Sequence, residues 1–275
     1  MGMKYVNILN NNNINNYVEK RFNNKDMIII KMKFNLHKCE EEDDETCPYD
    51  NVILIPFRNR DQHLQYFMKN TIPLFQEYLP KTKVVVIEQK EGKLFNRGAL
   101  LNVGFKEYEK KTKYFFTHDV DLNPTKKCVQ EFYTKIPVEH QVLGIYTSRC
   151  NTLGGIIKVK DHTIQKVNGF PNNIWGWGTE DKALQNRTEY YNILKISILT
   201  DDREHPHYIR RFNDVNDQDH TNLIEKSKHH YDDFPKLTRQ EKLQEIMISG
   251  LNNLEYTILE RKNIHDMVEL IKVDI

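Results

Sequence analysis

Between residues 51 and 122, apolar stretches alternate with amphipathic ones, and this order limits the fold more than any other feature of the chain. Three stretches rich in β-branched or aromatic residues predict buried strands: "NVILIPF", "TKVVVIEQ" and "KYFFTHDVDL". The segments between them predict helices, and the apolar positions of the first include Leu64, Phe67, Ile72, Leu74 and Phe75. This order is typical of a parallel, doubly wound α/β sheet, whose ligands bind at the carboxyl ends of the strands.

After Pro124 the pattern changes to shorter strands and loops. "VLGIYT", "GGIIKVK" and "LKISIL" predict strands, a helix is predicted from about Asp181 to Asn192, and "LEYTILER" with "VELIKVDI" predicts a closing strand pair. Residues 1–50 are polar and irregular, with one strand candidate in "MIIIKMKF". We therefore expect a polar N-terminal arm over residues 1–50 and one folded domain over residues 51–275.

Composition narrows the class of partner. The chain carries 40 basic and 39 acidic residues, so its net charge does not favour nucleic acid or an acidic membrane surface. We find no run of 18 apolar residues, and the start "MGMKYVNILNNNNINN" lacks the features of a secretory signal, so we expect no membrane span and a cytoplasmic location. Four cysteines are too few for a disulfide scaffold, and their spacing fits no paired zinc knuckle.

The only two tryptophans of the chain stand in "WGWGTED", directly before the acidic pair Glu180 and Asp181. Two tryptophans and two glycines within four residues, directly before two acidic residues, are unlikely to be filler in a chain otherwise rich in Lys, Asn and Ile. We interpret the segment as the acceptor end of an active site. The alternative is a Trp-rich turn packed in the core, with the acidic pair capping a helix.

A second acidic pair, Asp119 and Asp121 in "HDVDL", is expected at the carboxyl end of the third strand. Two aspartates in this position suit a divalent metal that bridges the oxygens of a nucleotide diphosphate. In "EHPHY", His205 and His207 face the same way if the segment is extended, and carboxylate with imidazole favours Mn²⁺ over Mg²⁺. Taken alone, each motif is more often a solvated turn or a surface loop.

Basic and aromatic residues in "PFRNR" and "FNR" complete the nucleotide side. Arg58, Arg60 and Arg97 suit a phosphate or a base edge, and Phe95 suits a flat base. Their alternative role is ordinary surface pairing.

Together these motifs give the chain a specific resemblance to the β-1,4-galactosyltransferase family, glycosyltransferase family 7, whose members are inverting enzymes of the GT-A fold. The resemblance runs from about Val52 to Ile275, through "IPFRNRDQHL", "FNRGALLNVGF", "HDVDL", "GGIIKV", "NGFPNNIWGWGTED" and "GLNNLEYTIL". "HDVDL" and the His-x-His pair resemble the xylose-directed branch, and "NGFPNNIWGWG" resembles the N-acetylglucosamine-directed branch. The resemblance implies an α/β GT-A domain over residues 51–275, with a Rossmann-like mixed sheet flanked by helices.

The resemblance also implies a role for each matching residue. Donor binding is implied for Pro56, Phe57, Arg58, Arg60, Phe95, Arg97, Asp119, Val120, Thr152, Gly155 and Trp177. Acceptor binding is implied for Trp175, Trp177, Gly178, Glu180, Asp181 and Lys182. Asp181 would be the catalytic base and Glu180 would orient the acceptor, while Trp177 would sit on a mobile loop hinged by Gly176 and Gly178. Mn²⁺ would be bound by Asp121, His205 and His207, with His220 as a reserve ligand.

Two positions depart from the family. Lys182 stands where the family usually has a third carboxylate, so the acceptor could be neither N-acetylglucosamine nor xylose, and could carry negative charge. Thr152 replaces a tyrosine that lies next to the donor sugar, and a smaller residue could admit an N-acetyl group.

Three hypotheses follow from this sequence. The first is Mn²⁺-dependent transfer of a hexose, most simply galactose, from a UDP-sugar to a saccharide acceptor. The second is a related transferase that uses UDP-glucose, UDP-N-acetylglucosamine or UDP-N-acetylgalactosamine. The third is a sugar-nucleotide-binding protein that has lost turnover. A glycoside hydrolase is less consistent with the motifs, because that chemistry needs two flanking carboxylates and no metal.

Overall fold

The computed structural model describes residues 47–148, 152–176, 178–201, 205–212 and 229–275. The predicted arm and its strand candidate lie almost entirely outside these residues, so the division at residue 50 stays a prediction. Trp177 and His220 also lie outside them.

Within the described residues the order of strands and helices follows the predicted alternation. The strands are β1 (Tyr49–Phe57), β2 (Thr82–Gln89), β3 (Thr112–His118), β4 (Leu122–Pro124), β5 (Gln141–Thr147), β6 (Ile156–Lys160), β7 (Leu194–Thr200), β8 (Ile209–Arg211), β9 (Thr257–His265) and β10 (Val268–Asp274). The helices are α1 (Asp61–Asn70), α2 (Ile72–Tyr78), α3 (Arg97–Glu107), α4 (Lys126–Cys128, continued by a π-helical turn over Val129–Tyr133), α5 (Asp161–Lys166), α6 (Glu180–Tyr190), α7 (His229–Asp232) and α8 (Arg239–Ile248).

Eight of these strands form one mixed sheet in the order β7-β5-β6-β3-β1-β2-β10-β9. The pairs β1–β2, β1–β3, β2–β10 and β5–β7 are parallel, whereas β3–β6, β5–β6 and β9–β10 are antiparallel. Because β6 runs against β3, its first residue Ile156 pairs with His118, the last residue of β3. The loop before β6 therefore lies at the carboxyl end of β3, where a doubly wound sheet binds ligands.

The central strand β1 is apolar along its length because both faces of the sheet are covered. Val52 and Leu54 pack in one hydrophobic cluster with residues of α3, and Ile53 and Ile55 pack in a second cluster with residues of α1 and α2. All four side chains are fully buried. The loops at the carboxyl edge of the sheet therefore follow strands that are packed on both faces.

One predicted helix is divided in two at Thr71. Pro73 occupies the first turn of α2, where its missing N–H costs nothing, but it could not continue the hydrogen bonding of α1. The Thr71 N–H instead closes α1 on the carbonyl of Phe67, and its hydroxyl donates to Asn123 Oδ1 at 3.1 Å. This bond connects the helix pair to the segment that follows the Asp119–Asp121 motif.

Candidate active site

The acidic pair of "WGWGTED" begins helix α6, and the backbone that leads into it is sharply turned. Gly176, Gly178 and Thr179 have φ values of 97°, 87° and 74°. Glycine adopts these values without strain, but a β-branched residue rarely does. Thr179 is buried, and within the described part of the chain its hydroxyl has no hydrogen-bond partner. The turn therefore stores strain directly before the carboxylates of Glu180 and Asp181.

Asp181 is half-buried and its carboxylate is held on both oxygens. The Thr152 hydroxyl donates to Oδ2 and the Lys182 N–H donates to Oδ1, each at 2.7 Å. Gly154 allows this approach, because a Cβ at that position would lie 2.6 Å from Asp181 Oδ2. Thr152 and Gly154 precede β6, so the carboxylate lies at the carboxyl end of β3.

Glu180 is buried beside Asp181, and its environment favours the neutral form. Burial and the negative charge of Asp181 raise the pKa of Glu180 to about 7, although the Arg97 guanidinium opposes this rise. Arg97 Nη1 lies 3.5 Å from Glu180 Oε1. Of the two neighbouring carboxyl groups, that of Asp181 is the more exposed.

Arg97 connects this pair to the nucleotide side of the predicted site. Its Nε and Nη2 donate to Asp119 Oδ1 at 2.9 and 2.7 Å. Burial alone would lower the pKa of Arg97, but the charges of Asp119 and Glu180 raise it, so the guanidinium stays charged. Arg97 is fixed as the first residue of α3, because the Asn96 side chain accepts the Ala99 N–H at 2.9 Å and caps the helix.

Arg58 and Phe95, two further residues predicted to bind the donor, lie in the loops that follow β1 and β2 at the carboxyl edge of the sheet. The Arg58 guanidinium lies 5.3 Å from the centre of the Phe95 ring and donates to the Lys93 carbonyl at 2.7 Å. The Gly176 N–H donates to the Phe95 carbonyl at 2.7 Å, and the Lys93 ammonium lies 5.9 Å from the Trp175 ring. The predicted base-binding residue and the tryptophan segment are therefore in direct contact.

The other predicted donor-binding residues lie next to the strands and helices of the same domain. Pro56 and Phe57 end β1, Arg60 precedes α1, Val120 is buried between the two aspartates, and Gly155 precedes β6.

The predicted metal ligands are not gathered into one cluster in the described residues. Strands β4 and β8 pair so that Arg211 Nε donates to Asp121 Oδ2 at 3.2 Å. His205 Nε2 lies 3.0 Å from the Thr200 carbonyl, and His207 is exposed. Among the described ranges no group of three or more His, Cys, Asp or Glu side chains is placed to hold a metal ion. The assignment of His205 and His207 therefore stays a prediction.

Asp121 itself has the chemistry of a cation ligand. Burial and the charge of Asp119 raise the pKa of Asp121, while the Arg211 guanidinium lowers it. A half-buried carboxylate beside a second carboxylate favours a nearby cation, and Arg211 supplies one in this structure. A divalent ion on Asp121 would compete with that guanidinium.

Sequence reasoning did not find the polar network that holds the segment before the tryptophans. Asn102 donates to the carbonyl of Phe170 at 2.7 Å and accepts the N–H of the same residue at 2.9 Å. Arg187 is buried and donates to the carbonyls of Asn168 and Gly169 at 2.8 and 2.9 Å, and burial lowers its pKa to about 9. These residues lie far apart in sequence, and no local pattern marks them.

Lys195 is a second residue that the sequence did not predict as part of the site. Its ammonium donates to the Thr152 carbonyl at 2.9 Å.

Comparison with a solved structure identifies the fold. A mutant of Drosophila β1,4-galactosyltransferase 7, solved with manganese, UDP-Gal and xylobiose, superposes with a TM-score of 0.62 at 22% identity. The match covers 82% of this chain and 94% of that one. The predicted fold is thereby confirmed: the chain has the α/β architecture of a GT-A glycosyltransferase.

Sequence comparison gives the family. Residues 5–133 match the N-terminal region of glycosyl transferase group 7, and residues 138–212 match the N-terminal domain of galactosyltransferase. The chain is 40% identical over 153 residues to β-1,4-galactosyltransferase 4 of Homo sapiens, and 32% identical over 221 residues to β-1,4-galactosyltransferase 1 of Bos taurus. These matches cover 53% and 78% of this chain, and 44% and 51% of the relatives' lengths. The chain belongs to the β-1,4-galactosyltransferase family, as its motifs predict.

No helix in the described ranges is both long enough and apolar enough to cross a membrane. The cytoplasmic location stays a prediction.

Proposed function

We propose that this protein transfers a hexose, galactose in the simplest case, from a UDP-sugar to a hydroxyl group of a saccharide, with inversion at the anomeric carbon. One observation carries the proposal. Arg97 binds both Asp119, on the nucleotide side, and Glu180, next to the candidate base Asp181. The nucleotide side of the site is thus joined by hydrogen bonds and ion pairs to the residue that directly precedes the candidate base.

In the proposed reaction the acceptor oxygen forms a bond to the anomeric carbon of the donor sugar. The bond from that carbon to the diphosphate oxygen breaks, UDP leaves with the bonding electron pair, and the acceptor proton passes to Asp181. Asp181 suits this role because Thr152 and the Lys182 N–H fix its orientation while the carboxylate stays partly exposed. A positioned base of this kind contributes about 10² to 10⁴ in rate.

Glu180 and Arg97 would act in binding. The pKa of Glu180 is raised to about 7, so a substantial fraction of the protein carries a protonated Glu180 at neutral pH, and this form can donate a hydrogen bond to an acceptor oxygen. Arg97 and Arg58 would hold the diphosphate and uridine, with Phe95 against the base, consistent with the contact between Arg58 and the Phe95 ring. Mn²⁺, when bound at Asp121, would neutralise the charge of the departing diphosphate.

Galactose as the donor sugar is supported by the names of the relatives and by the UDP-Gal bound in the Drosophila protein. Thr152, by contrast, is compatible with donors other than UDP-galactose. Its hydroxyl is engaged with Asp181, and a small side chain there leaves UDP-N-acetylgalactosamine, UDP-glucose and UDP-N-acetylglucosamine open as donors.

The test is UDP release by the purified protein with Mn²⁺, a panel of the four UDP-sugars, and xylose, N-acetylglucosamine and glucose as acceptors. We expect release with one donor, loss of release with EDTA, and a fall of about 10² to 10⁴ for Asp181→Asn. Asp266→Asn is a matched control, because Asp266 is exposed in the β9–β10 turn at the opposite end of the sheet. UDP-sugar binding without release across the panel would instead support a binding protein without turnover.

A further inference from the structure

Phe95, the residue proposed to lie against the uridine base, stands in the loop between β2 and α3. Residues 90–96 form this loop and belong to no strand or helix. Residues 90–94 are exposed, whereas the Phe95 side chain is half-buried. Because no strand or helix satisfies the backbone of this loop, side chains must supply hydrogen bonds to it, and these side chains decide where the Phe95 ring lies.

The side chain of Gln89 holds the backbone on both sides of Phe95. Gln89 is the last residue of β2, it pairs with Val273 of β10, and it is 2% exposed. Its Nε2 donates to the Leu94 carbonyl at 2.8 Å, and its Oε1 accepts the Asn96 N–H at 2.8 Å. One buried amide group therefore ties the residue before Phe95 and the residue after it to the sheet.

The Phe95 residue itself is held on its carbonyl and contacted on its ring. The Gly176 N–H donates to the Phe95 carbonyl at 2.7 Å, and the Arg58 guanidinium lies 5.3 Å from the centre of the ring. Asn96 is fixed in turn, because its side chain caps α3 and donates to the Asn172 carbonyl at 2.7 Å. The position of the ring beside Arg58 thus depends on a backbone that Gln89 holds at two points.

We propose that Gln89 is a positioning residue for the nucleotide half of the donor, which acts by fixing the Phe95 ring beside Arg58. The Gln89 side chain is buried and both ends of its amide are engaged with the loop, so it acts through Phe95 and not by touching the donor. This inference rests on the proposed function, and it deepens that proposal by naming a residue that sets the affinity for the uridine group.

The test is a double-mutant cycle on the affinity for UDP in the presence of Mn²⁺, measured by calorimetry. Gln89→Met keeps the length of the side chain and removes both hydrogen bonds, and Phe95→Ala removes the ring. We expect Gln89→Met to weaken UDP binding about five- to tenfold when Phe95 is present, the range of about one hydrogen bond. The same change should weaken binding less than about twofold in the Phe95→Ala background, because its effect passes through the ring.

Steady-state rates separate positioning from a general loss of structure. We expect Gln89→Met to raise the KM for the UDP-sugar, while kcat and the KM for the acceptor stay within about twofold of the wild-type values. Gln240→Met is the matched control, because Gln240 is an exposed glutamine of α8 and its substitution should leave the affinity for UDP unchanged. If Gln89→Met does not fold, Gln89→Asn takes its place in the cycle, because its shorter side chain cannot reach both backbone groups.

The outcomes separate this inference from the proposed function. Unchanged UDP affinity in the folded Gln89 variant, or equal weakening with and without the Phe95 ring, would overturn the inference and leave the proposed transfer intact. A wild-type protein that does not bind UDP would overturn both.

Discussion

Glu180 makes the stability of the protein depend on pH in a calculable way. Its carboxyl group has a pKa of about 7 in the folded protein against 4.5 for the ordinary value, so the folded state binds more protons than the unfolded state between these limits. Stability from this group is therefore present at low pH and falls as pH rises from 4.5 to 7. A shift of this size corresponds to about 3 kcal/mol, most of which is lost between pH 5 and pH 8.

Glu180→Gln keeps the shape of the side chain and removes the titration. We expect the free energy of unfolding of the variant to gain about 2 to 3 kcal/mol relative to the wild type when the pH is raised from 5 to 8, measured by urea unfolding at both values. Comparing the two proteins at each pH cancels the other titrating groups. Glu131→Gln, at an exposed position on the turn that continues α4, should show no such change. A wild-type-minus-variant difference that is constant across this range would refute the assignment of a buried, neutral Glu180.

Three further predictions concern neighbouring positions. Thr152→Val removes the hydroxyl that orients Asp181 and should lower kcat by about tenfold or more, whereas Thr152→Ser should retain activity; equal rates for both would show that the bond is dispensable. Thr179→Gly should raise the free energy of unfolding by about 1 kcal/mol, because it relieves the positive φ and removes a buried hydroxyl without a partner; lower stability in urea would contradict the strain argument. Arg211→Gln should tighten Mn²⁺ binding by about tenfold, measured by electron paramagnetic resonance, because the guanidinium no longer competes for Asp121; unchanged affinity would place the metal elsewhere.

The strands that are covered on both faces of the sheet could be predicted from the sequence, because burial on both faces requires a continuous run of apolar residues. Strand β2 has the predicted bounds, Thr82 to Gln89. Its successive apolar residues alternate between the two hydrophobic clusters, so both faces of the strand are apolar. Helix α8 was not predicted, because its residues are largely exposed and it lacks a continuous apolar stripe. A local signal was present: Thr238 and Glu241 form a capping box at its start.

The candidate site was predictable as a set of residues but not as a set of contacts. Arg97, Asp119 and Glu180 were each singled out, yet the ion pairs that join them depend on how α3 and α6 meet at the sheet edge. The Asp121–Arg211 pair depends on the pairing of β4 with β8, across 90 positions of sequence. Such contacts follow from topology, which local periodicity does not specify.

The central claim is that Asp181 removes the proton of the acceptor hydroxyl and does not bind the donor. The most direct measurement compares Asp181→Asn with the wild type in two ways, by the affinity for the UDP-sugar in calorimetry and by the single-turnover rate of transfer. We predict unchanged affinity with a rate about 10² to 10⁴ lower. A variant that transfers at the wild-type rate, or one that loses donor affinity in proportion to its rate, would contradict the assignment.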